Sequence, residues 1–392
     1  MNSPRQDPVP EFSPENDPAG PSVREIAWLF LRLGATSFGG PAAHIALMER
    51  EVVRRLGWLP HDRFVDLLGA THLIPGPNST EMAIHIGWSR ARWAGLIVAG
   101  VCFIAPAALI TLGLAWAYVR FGTRPEAAAL LYGIKPVIIA VVADALWRLG
   151  RSILRTRLLA AVTAAAAIMN ALWARELAIL FGCGLLVMSI EHARGRLGLH
   201  LCLSLPPLVP AVAAPPARPE LMPLFLFFLK VGSILYGSGY VLLAFLRADL
   251  VERWGWLNDR QLLDAIAIGQ ITPGPVFTTA TFIGYLLGRL PGAGLATLGI
   301  FLPSFVLVAA SGPLIPRIRQ SRLAGAFLDG VNAASLALML VVSCELGRSA
   351  LVDPLTTVVA AVSGVFLIRR PINSAWLILA GGLLGAARLL LS

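Results

Sequence analysis

The chain has 392 residues, of which 57% are hydrophobic and 14% are charged. Soluble domains are about 45–50% apolar and about 25% charged, so one soluble core could not bury this much apolar surface. Residues 93–119, 265–288 and 290–316 contain no Asp, Glu, Lys or Arg. Because a helix needs about 20 apolar residues to cross a bilayer, these runs predict a helical membrane protein. Soluble enzymes, secreted disulfide proteins and DNA-binding modules are thereby excluded, and a transmembrane β-barrel would show alternating segments instead.

The net charge of +10 arises from 32 basic and 22 acidic residues. The basic residues are scattered between the apolar segments, as in cytoplasmic loops, and they predict no nucleic-acid binding. No two of the four cysteines form a C-x-x-C pair, so the sequence predicts neither a metal site nor redox use.

The first part of the chain, residues 1–22, is polar and contains six prolines. It lacks the apolar core of a signal peptide, and we predict a disordered cytoplasmic tail. A second proline-rich stretch, residues 193–221, also contains six prolines and is predicted to be a linker.

An internal repeat surrounds this linker. Gly57-Trp58-Leu59 recurs as Gly255-Trp256-Leu257, and Pro75-Gly76-Pro77 recurs at the same spacing as Pro273-Gly274-Pro275. Leu149-Gly150-Arg151-Ser152 matches Leu346-Gly347-Arg348-Ser349 at a spacing shorter by one residue. The sequence therefore predicts two homologous repeats, at residues 23–192 and 222–392.

These features predict an all-α polytopic fold with roughly 10 to 13 membrane spans. Loop arginines favour alternate loops in the second repeat and, more weakly, the other set of loops in the first. Opposite charge biases indicate that the two repeats are inverted relative to each other.

Each Pro-Gly-Pro element lies inside an apolar segment and must interrupt its helix, because proline removes a donor and clashes with the preceding turn. Broken backbone at membrane depth requires protein or a polar cavity around it. Residues 78–80 and 276–278, which follow the breaks, would present free N–H groups and the positive end of a helix dipole, which suits an anion. Simple structural kinks are the alternative. The helix-break residues are Pro75, Gly76, Pro77, Pro273, Gly274 and Pro275.

Cations within the apolar segments are the second indication of a site. Lys135 and Lys230 are the two lysines of the chain, and Arg32 is the repeat counterpart of Lys230. A charge inside a span is costly and is a functional hypothesis by default, although Arg32 could instead extend to the membrane interface.

Four titratable residues are candidates for proton coupling: Glu81, His72, His85 and Asp144. Each could instead pair with a cation, and for Asp144 pairing is favoured. The spacing of histidines and acids does not predict a zinc site.

The repeated motifs resemble the chromate ion transporter family in its long, two-domain form. Phe38-Gly39-Gly40-Pro41, Gly57-Trp58-Leu59 and Pro75-Gly76-Pro77-Asn78 carry the resemblance in the first repeat. Tyr236-Gly237-Ser238-Gly239 and Thr272-Pro273-Gly274-Pro275 carry it in the second. The resemblance implies antiparallel halves, a bacterial inner-membrane location and efflux of chromate that confers chromate resistance.

Together these observations predict a secondary transporter, not an enzyme, with an oxyanion bound between the two broken helices and no cofactor. Membrane potential or a proton gradient would drive export. A sulfate or other anion transporter and an integral-membrane enzyme, such as a reductase, remain alternatives, and a homodimer is left open. The predicted substrate-binding residues are Arg32, Lys135, Lys230, Asn78, Ser79, Thr80, Gln270, Thr278 and Thr279.

Overall fold

A computed structural model describes residues 22–122, 124–173, 176–195, 219–236, 241–311, 321–369 and 374–391. Most of the predicted tail and linker lies outside these residues, as does the Gly237-Ser238-Gly239 motif. The regular secondary structure of the described residues is entirely helical, which confirms the predicted all-α fold.

Among the described residues, the two repeats have the same succession of seven α-helices. The first contains α1 (Val23–Thr36), α2 (Gly40–Glu49), α3 (His61–Thr71), α4 (Asn78–Phe121), α5 (Pro125–Ile153), α6 (Arg157–Trp173) and α7 (Glu176–Gly195). The second contains α8 (Leu221–Ile234), α9 (Leu242–Phe245), α10 (Asp259–Ile271), α11 (Thr279–Ser311), α12 (Arg322–Ala350), α13 (Pro354–Arg369) and α14 (Ser374–Leu391). Short π-helices, Arg50–Arg55 and Leu246–Arg253, continue α2 and α9, and a 3₁₀ turn, Val276–Thr278, precedes α11.

Polar caps fix where two of the site-forming helices begin. Ser22 caps α1 and Asn258 caps α10, each in a capping box with the residue three positions later, Glu25 or Gln261. The caps satisfy backbone donors that the first helical turn leaves free. Both helices then run inward from a polar start.

The first helix of each repeat is too short to cross a membrane alone. α1 and α8 each have 14 residues, or about 21 Å at the rise of an α-helix, against a hydrocarbon layer of about 30 Å. Each helix therefore covers only part of a bilayer, and carbonyl groups at an end within the hydrocarbon layer would need partners.

The long helices α4 and α11 each fold back on themselves near their first third. The turn in α4 lies at Arg92, with φ of 49°, and the turn in α11 lies at Arg289, with φ of 54°. Glycines allow the two legs to touch: a Cβ at Gly87 would lie 2.2 Å from the carbonyl oxygen of Gly95. Each of these helices is thus a tight hairpin, with a short leg after the Pro-Gly-Pro break and a longer spanning leg.

The later helices interlock the repeats. α12 of the second repeat packs against α6 and α7, and α5 of the first repeat packs against α13 and α14. Close approach depends on glycine again, because a Cβ at Gly133 would lie 1.9 Å from the carbonyl oxygen of Gly381. Each half therefore completes its packing with helices of the other half.

Five helices of the described chain are long and apolar enough to cross a membrane: α4, α5, α7, α11 with its 3₁₀ turn, and α12. Large apolar side chains lie exposed on the outer surface, as at Trp28, Leu109 and Trp376. A bilayer would cover these side chains. The inverted orientation of the repeats in the membrane stays a prediction.

Candidate functional site

The two Pro-Gly-Pro elements meet the ends of α1 and α8 at the centre of the molecule. We call residues 75–77 the first break and residues 273–275 the second break. The Gly76 N–H donates to the carbonyl oxygen of Leu235, and the Gly274 N–H donates to that of Ser37, both at 2.8 Å. Each break therefore closes the end of a helix of the opposite repeat. We call this pair of hydrogen bonds the crossing.

Glycine is required at both breaks because φ is positive there, 140° at Gly76 and 86° at Gly274. An L-residue rarely adopts these angles. Space is also lacking at the second break, since a Cβ at Gly274 would lie 2.9 Å from the carbonyl oxygen of Gly34. The predicted interruptions of the helices at residues 75–77 and 273–275 are present in the structure.

The first break leads into a buried turn that carries a carboxylate. Ser79, Thr80 and Glu81 are at most 2% exposed, and no basic side chain pairs with Glu81 among the described residues. A Cβ at Gly76 would lie 2.2 Å from Oε1 of Glu81 and 2.6 Å from Oγ of Ser304, so both groups face the break. A buried carboxyl group without a cation partner is costly in its charged form, so Glu81 supplies no positive potential for an anion at this helix start.

The second break leads into a turn lined by hydroxyl groups. Thr111 lies opposite this turn, with its Oγ1 3.3 Å from Oγ1 of Thr278 and 3.4 Å from Oγ1 of Thr272. Thr278 and Thr279 are buried and donate to backbone carbonyl groups of the turn. Hydroxyl hydrogens can rotate toward an anion, so this helix start can accept one without opposing charge.

Sequence reasoning missed Thr111 and Ser304. Thr111 lies in α4 and faces the second break, whereas Ser304 lies in α11 and faces the first. The Pro-Gly-Pro motif carries no signal for these partners, because each comes from the repeat that does not contain the break.

The cations of α1 and α8 are each paired with an acid of the following π-helix. Arg32 forms an ion pair with Glu51, which also pairs with Arg55 at 2.7 Å. Lys230 pairs with Asp249 in the equivalent place of the second repeat. The two ion pairs lie in separate repeats. Arg32 lies five residues before Ser37 and Lys230 lies five residues before Leu235, and these two residues accept the hydrogen bonds of the crossing.

Lys135 forms an ion pair across the repeats. Its Nζ lies 2.9 Å from Oδ1 of Asp264 on α10, and the hydroxyl of Tyr118 donates to Oδ2 of the same carboxylate at 2.8 Å. The side chain of Asp264 is 1% exposed and that of Lys135 is 12% exposed. Sequence reasoning missed Asp264 and Tyr118 as part of a site, although Asp264 lies within the repeat match.

The other residues predicted from the sequence include two histidines, two amides and Asp144. His72 is exposed, and its Nδ1 lies 3.2 Å from the side-chain nitrogen of Asn78. His85 is 3% exposed, one turn after Glu81, and Gln270 is buried before the second break. Asp144 lies 2.9 Å from Arg148 on the same helix, as expected for simple pairing. Among the residues that the structure describes, no three His, Cys, Asp or Glu side chains are grouped as a metal ion would need.

The sequence of this chain is similar to one known protein family and to several curated proteins. The model of the family described as "Chromate transporter" matches residues 24–188 and 222–386, one match for each repeat. The chain is 32% identical to the chromate transport protein of Cupriavidus metallidurans, over 93% of this chain and 92% of that protein. It is 31% identical to the chromate transport protein of Pseudomonas aeruginosa, over 91% and 90% of the two chains.

A probable chromate transport protein of Synechococcus elongatus is 30% identical over 87% of this chain and 89% of that protein. No solved structure matches the chain significantly. Two family matches on two seven-helix repeats, with curated relatives over nearly the whole length, assign the protein to a family of multi-pass membrane transporters: the chain belongs to the chromate transporter family.

Proposed function

We propose that this protein exports chromate across the bacterial inner membrane and thereby confers chromate resistance. The observation that carries the proposal is the second break, a buried helix start lined by Thr272, Thr278 and Thr111. Chromate is a tetrahedral dianion whose four oxygens accept hydrogen bonds. Hydroxyl groups and helix N–H groups are donors of the required kind.

The second break suits a dianion better than the first. Glu81 stands where the second repeat has Thr279, so the first break has an acidic side chain in place of a hydroxyl donor. The donors proposed for the substrate are therefore Thr278, Thr279 and Gln270. Asn78, Ser79 and Thr80 follow the other break and stay predicted substrate contacts.

Arg32, Lys135 and Lys230 supply the positive potential that draws a dianion into the protein. Each is held by a carboxylate, which limits the cost of a charge inside the membrane. An anion can approach such a pair more readily than a lone carboxylate, because the cation remains available to it.

The membrane potential favours export. Each elementary charge gains about 2.3 kcal/mol per 100 mV, so chromate leaving a negative interior gains roughly twice that amount as a bare dianion, and about half as much if one proton leaves with it. Proton coupling through Glu81, His72, His85 or Asp144 is the competing source of energy and stays a prediction.

Labelled chromate flux into inside-out vesicles or proteoliposomes tests the proposal. We expect saturable uptake that rises when a potential is imposed and falls at least about tenfold in Thr278→Val, since hydrogen bonds to charged groups are worth about 1.5–3 kcal/mol. Leu109→Ala, on the lipid-facing surface, is the matched control and should transport normally. Absence of chromate flux with folded wild-type protein would contradict the proposal.

Sulfate is the second candidate substrate, because it is also a tetrahedral dianion and neutral hydroxyl donors do not distinguish the two ions by charge. Excess sulfate in the same assay separates the possibilities. Competitive inhibition of chromate flux indicates a shared site, and sulfate flux without chromate flux would replace the first proposal.

A further inference from the structure

The Lys135–Asp264 pair joins α5 to the helix that leads into the second break. α10 runs from Asp259 to Ile271 and leads directly into that break. Asp264 precedes Thr272 by eight residues, or roughly 12 Å along a helix. The spanning leg of α4 lies alongside, since Thr111 contacts Thr272 and Tyr118 contacts Asp264. An anion that moves along this helix pair meets Lys135 about two turns from the threonines.

The two donors around Asp264 form an arrangement that suits an oxyanion. Lys135 approaches one carboxylate oxygen at 2.9 Å, and the Tyr118 hydroxyl donates to the other at 2.8 Å. A tetrahedral oxyanion presents pairs of oxygens to which an ammonium group and a hydroxyl group can bind in the same way. Asp264 thus occupies, with its own carboxylate, a place where an oxyanion could bind.

The lysine of this pair has no counterpart in the second repeat. In the repeat match Asp66 corresponds to Asp264, and Asn332 corresponds to Lys135. The position of α12 that corresponds to Lys135 therefore carries no cation. A buried ion pair contributes little net stability in general, so its presence in one half only points to a role in transport.

We propose that Asp264 competes with the transported oxyanion for Lys135 and Tyr118, so that binding of the anion and uptake of a proton by Asp264 occur together. This inference rests on the proposed function and deepens it. When the dianion takes the ammonium group, the displaced carboxylate would be a buried charge without a cation, which is costly. The Asp264 carboxylate therefore takes one proton from the aqueous side. No covalent bond to the anion forms or breaks. In the resulting complex, Lys135 binds the dianion and the neighbouring Asp264 is neutral.

Few other charges act on this carboxylate in the described part of the chain. Lys135 from α5 and Tyr118 from α4 are the groups in direct contact, and Arg260 on α10 itself acts on Tyr118. Glu81, the other buried carboxylate near the breaks, has no cation partner in the described residues that an anion could take from it. Competition for a shared cation is thus possible at Asp264 and not at Glu81.

The decisive experiment measures proton and chromate movement together in proteoliposomes that contain a trapped pH dye. A mildly alkaline medium keeps the substrate in its dianionic form. We expect wild type to move roughly one proton with each chromate, and Asp264→Asn to move chromate with nearly none, because the amide cannot take up a proton. The chromate KM of Asp264→Asn should fall about tenfold as the competitor for Lys135 is weakened.

Asp66→Asn changes the repeat counterpart and is the matched control, so it should keep the proton ratio of wild type. Glu81→Gln removes a buried carboxyl group that is the rival candidate for carrying the proton, and it tests that alternative. An unchanged ratio in Asp264→Asn, or loss of proton movement in Glu81→Gln alone, overturns the inference. Absence of chromate flux in wild type would instead contradict the proposed function, so the two failures are distinguishable.

A measurement on the wild-type protein tests the inference without requiring that any variant folds. Calorimetric titration with chromate, in buffers that differ in ionisation enthalpy, reports protons taken up on binding. Uptake of about one proton per bound dianion is expected from neutralisation of one carboxylate. Binding without proton uptake overturns the inference even if Asp264→Asn cannot be purified.

Discussion

The two repeats agree in their backbone and differ in the side chains that follow their breaks. In each repeat the break donates a hydrogen bond of 2.8 Å to the opposite repeat, and each hairpin turns at an arginine with positive φ. After the first break lies Glu81, whereas Thr278 and Thr279 lie after the second. Duplication has thus kept the geometry that holds the breaks together, while the chemistry at each break has diverged.

The sidedness of the two repeats gives the largest contrast that can be measured. If they are inverted, Arg54→Cys and its repeat counterpart Glu252→Cys face opposite sides of the membrane. Both side chains are accessible, at 73% and 43% exposure. In a background with the native cysteines replaced, an impermeant maleimide should label one from outside and the other only from inside. Labelling of both from one side would mean parallel repeats.

The glycines at the packing of α1 and α8 should be equally intolerant of a side chain. A Cβ at Gly34 would lie 2.4 Å from the carbonyl oxygen of Phe103, and one at Gly232 would lie 2.4 Å from that of Ile300. We expect Gly34→Leu and Gly232→Leu each to lower the free energy of unfolding by about 3 kcal/mol or more, since backbone must move. Thermal melting in detergent measures this.

Gly113→Leu is the control for these two substitutions, because nothing lies within 4 Å of a Cβ at Gly113. It should melt like wild type. A large effect in one repeat with a small effect in the other would show that the halves are not equivalent in their scaffold.

The threonines test the divergence at the breaks. Thr278 contacts Thr111 and lines the proposed anion site, whereas its repeat counterpart Thr80 lies in the turn that carries Glu81. We expect Thr278→Val to raise the chromate KM about tenfold and Thr80→Val to raise it much less. Initial rates of chromate flux at several concentrations provide both values. Equal increases would place the anion between the breaks instead of at the second one.

Much of this architecture could be predicted from the sequence because its signals are local. Charge-free runs reveal the membrane class, and Pro-Gly-Pro must interrupt a helix wherever it lies. The repeat is readable because Gly57-Trp58-Leu59 and Gly255-Trp256-Leu257 match without any knowledge of contacts. The hairpin turns at Arg92 and Arg289 escaped prediction, since a charged residue between apolar runs also fits an ordinary loop.

The partners of the site could not be predicted because they depend on packing between the repeats. Lys135 is readable as a cation in an apolar segment, but its contact with Asp264 joins α5 to α10. Thr111 and Tyr118 share one face of α4 and look like ordinary polar residues of a span. The pairing of Arg32 with Glu51 depends on the π-helix that brings residues 50–55 back toward α1. One sequence without its relatives contains no signal for such long-range contacts.

Exchange of the cations of α1 and α8 should have the smallest effect. Arg32 and Lys230 each pair with an acid of the following π-helix, and their side chains are 40% and 33% exposed. In the double variant Arg32→Lys/Lys230→Arg the charge at each place is kept, and partly exposed pairs tolerate a change in donor geometry. We expect chromate flux within about twofold of wild type, since exposed pairs contribute about 0–1 kcal/mol. A loss of flux comparable to that of Thr278→Val would mean that the guanidinium group binds the anion in one repeat only. The divergence of the two halves would then extend from the breaks to the cations that precede them.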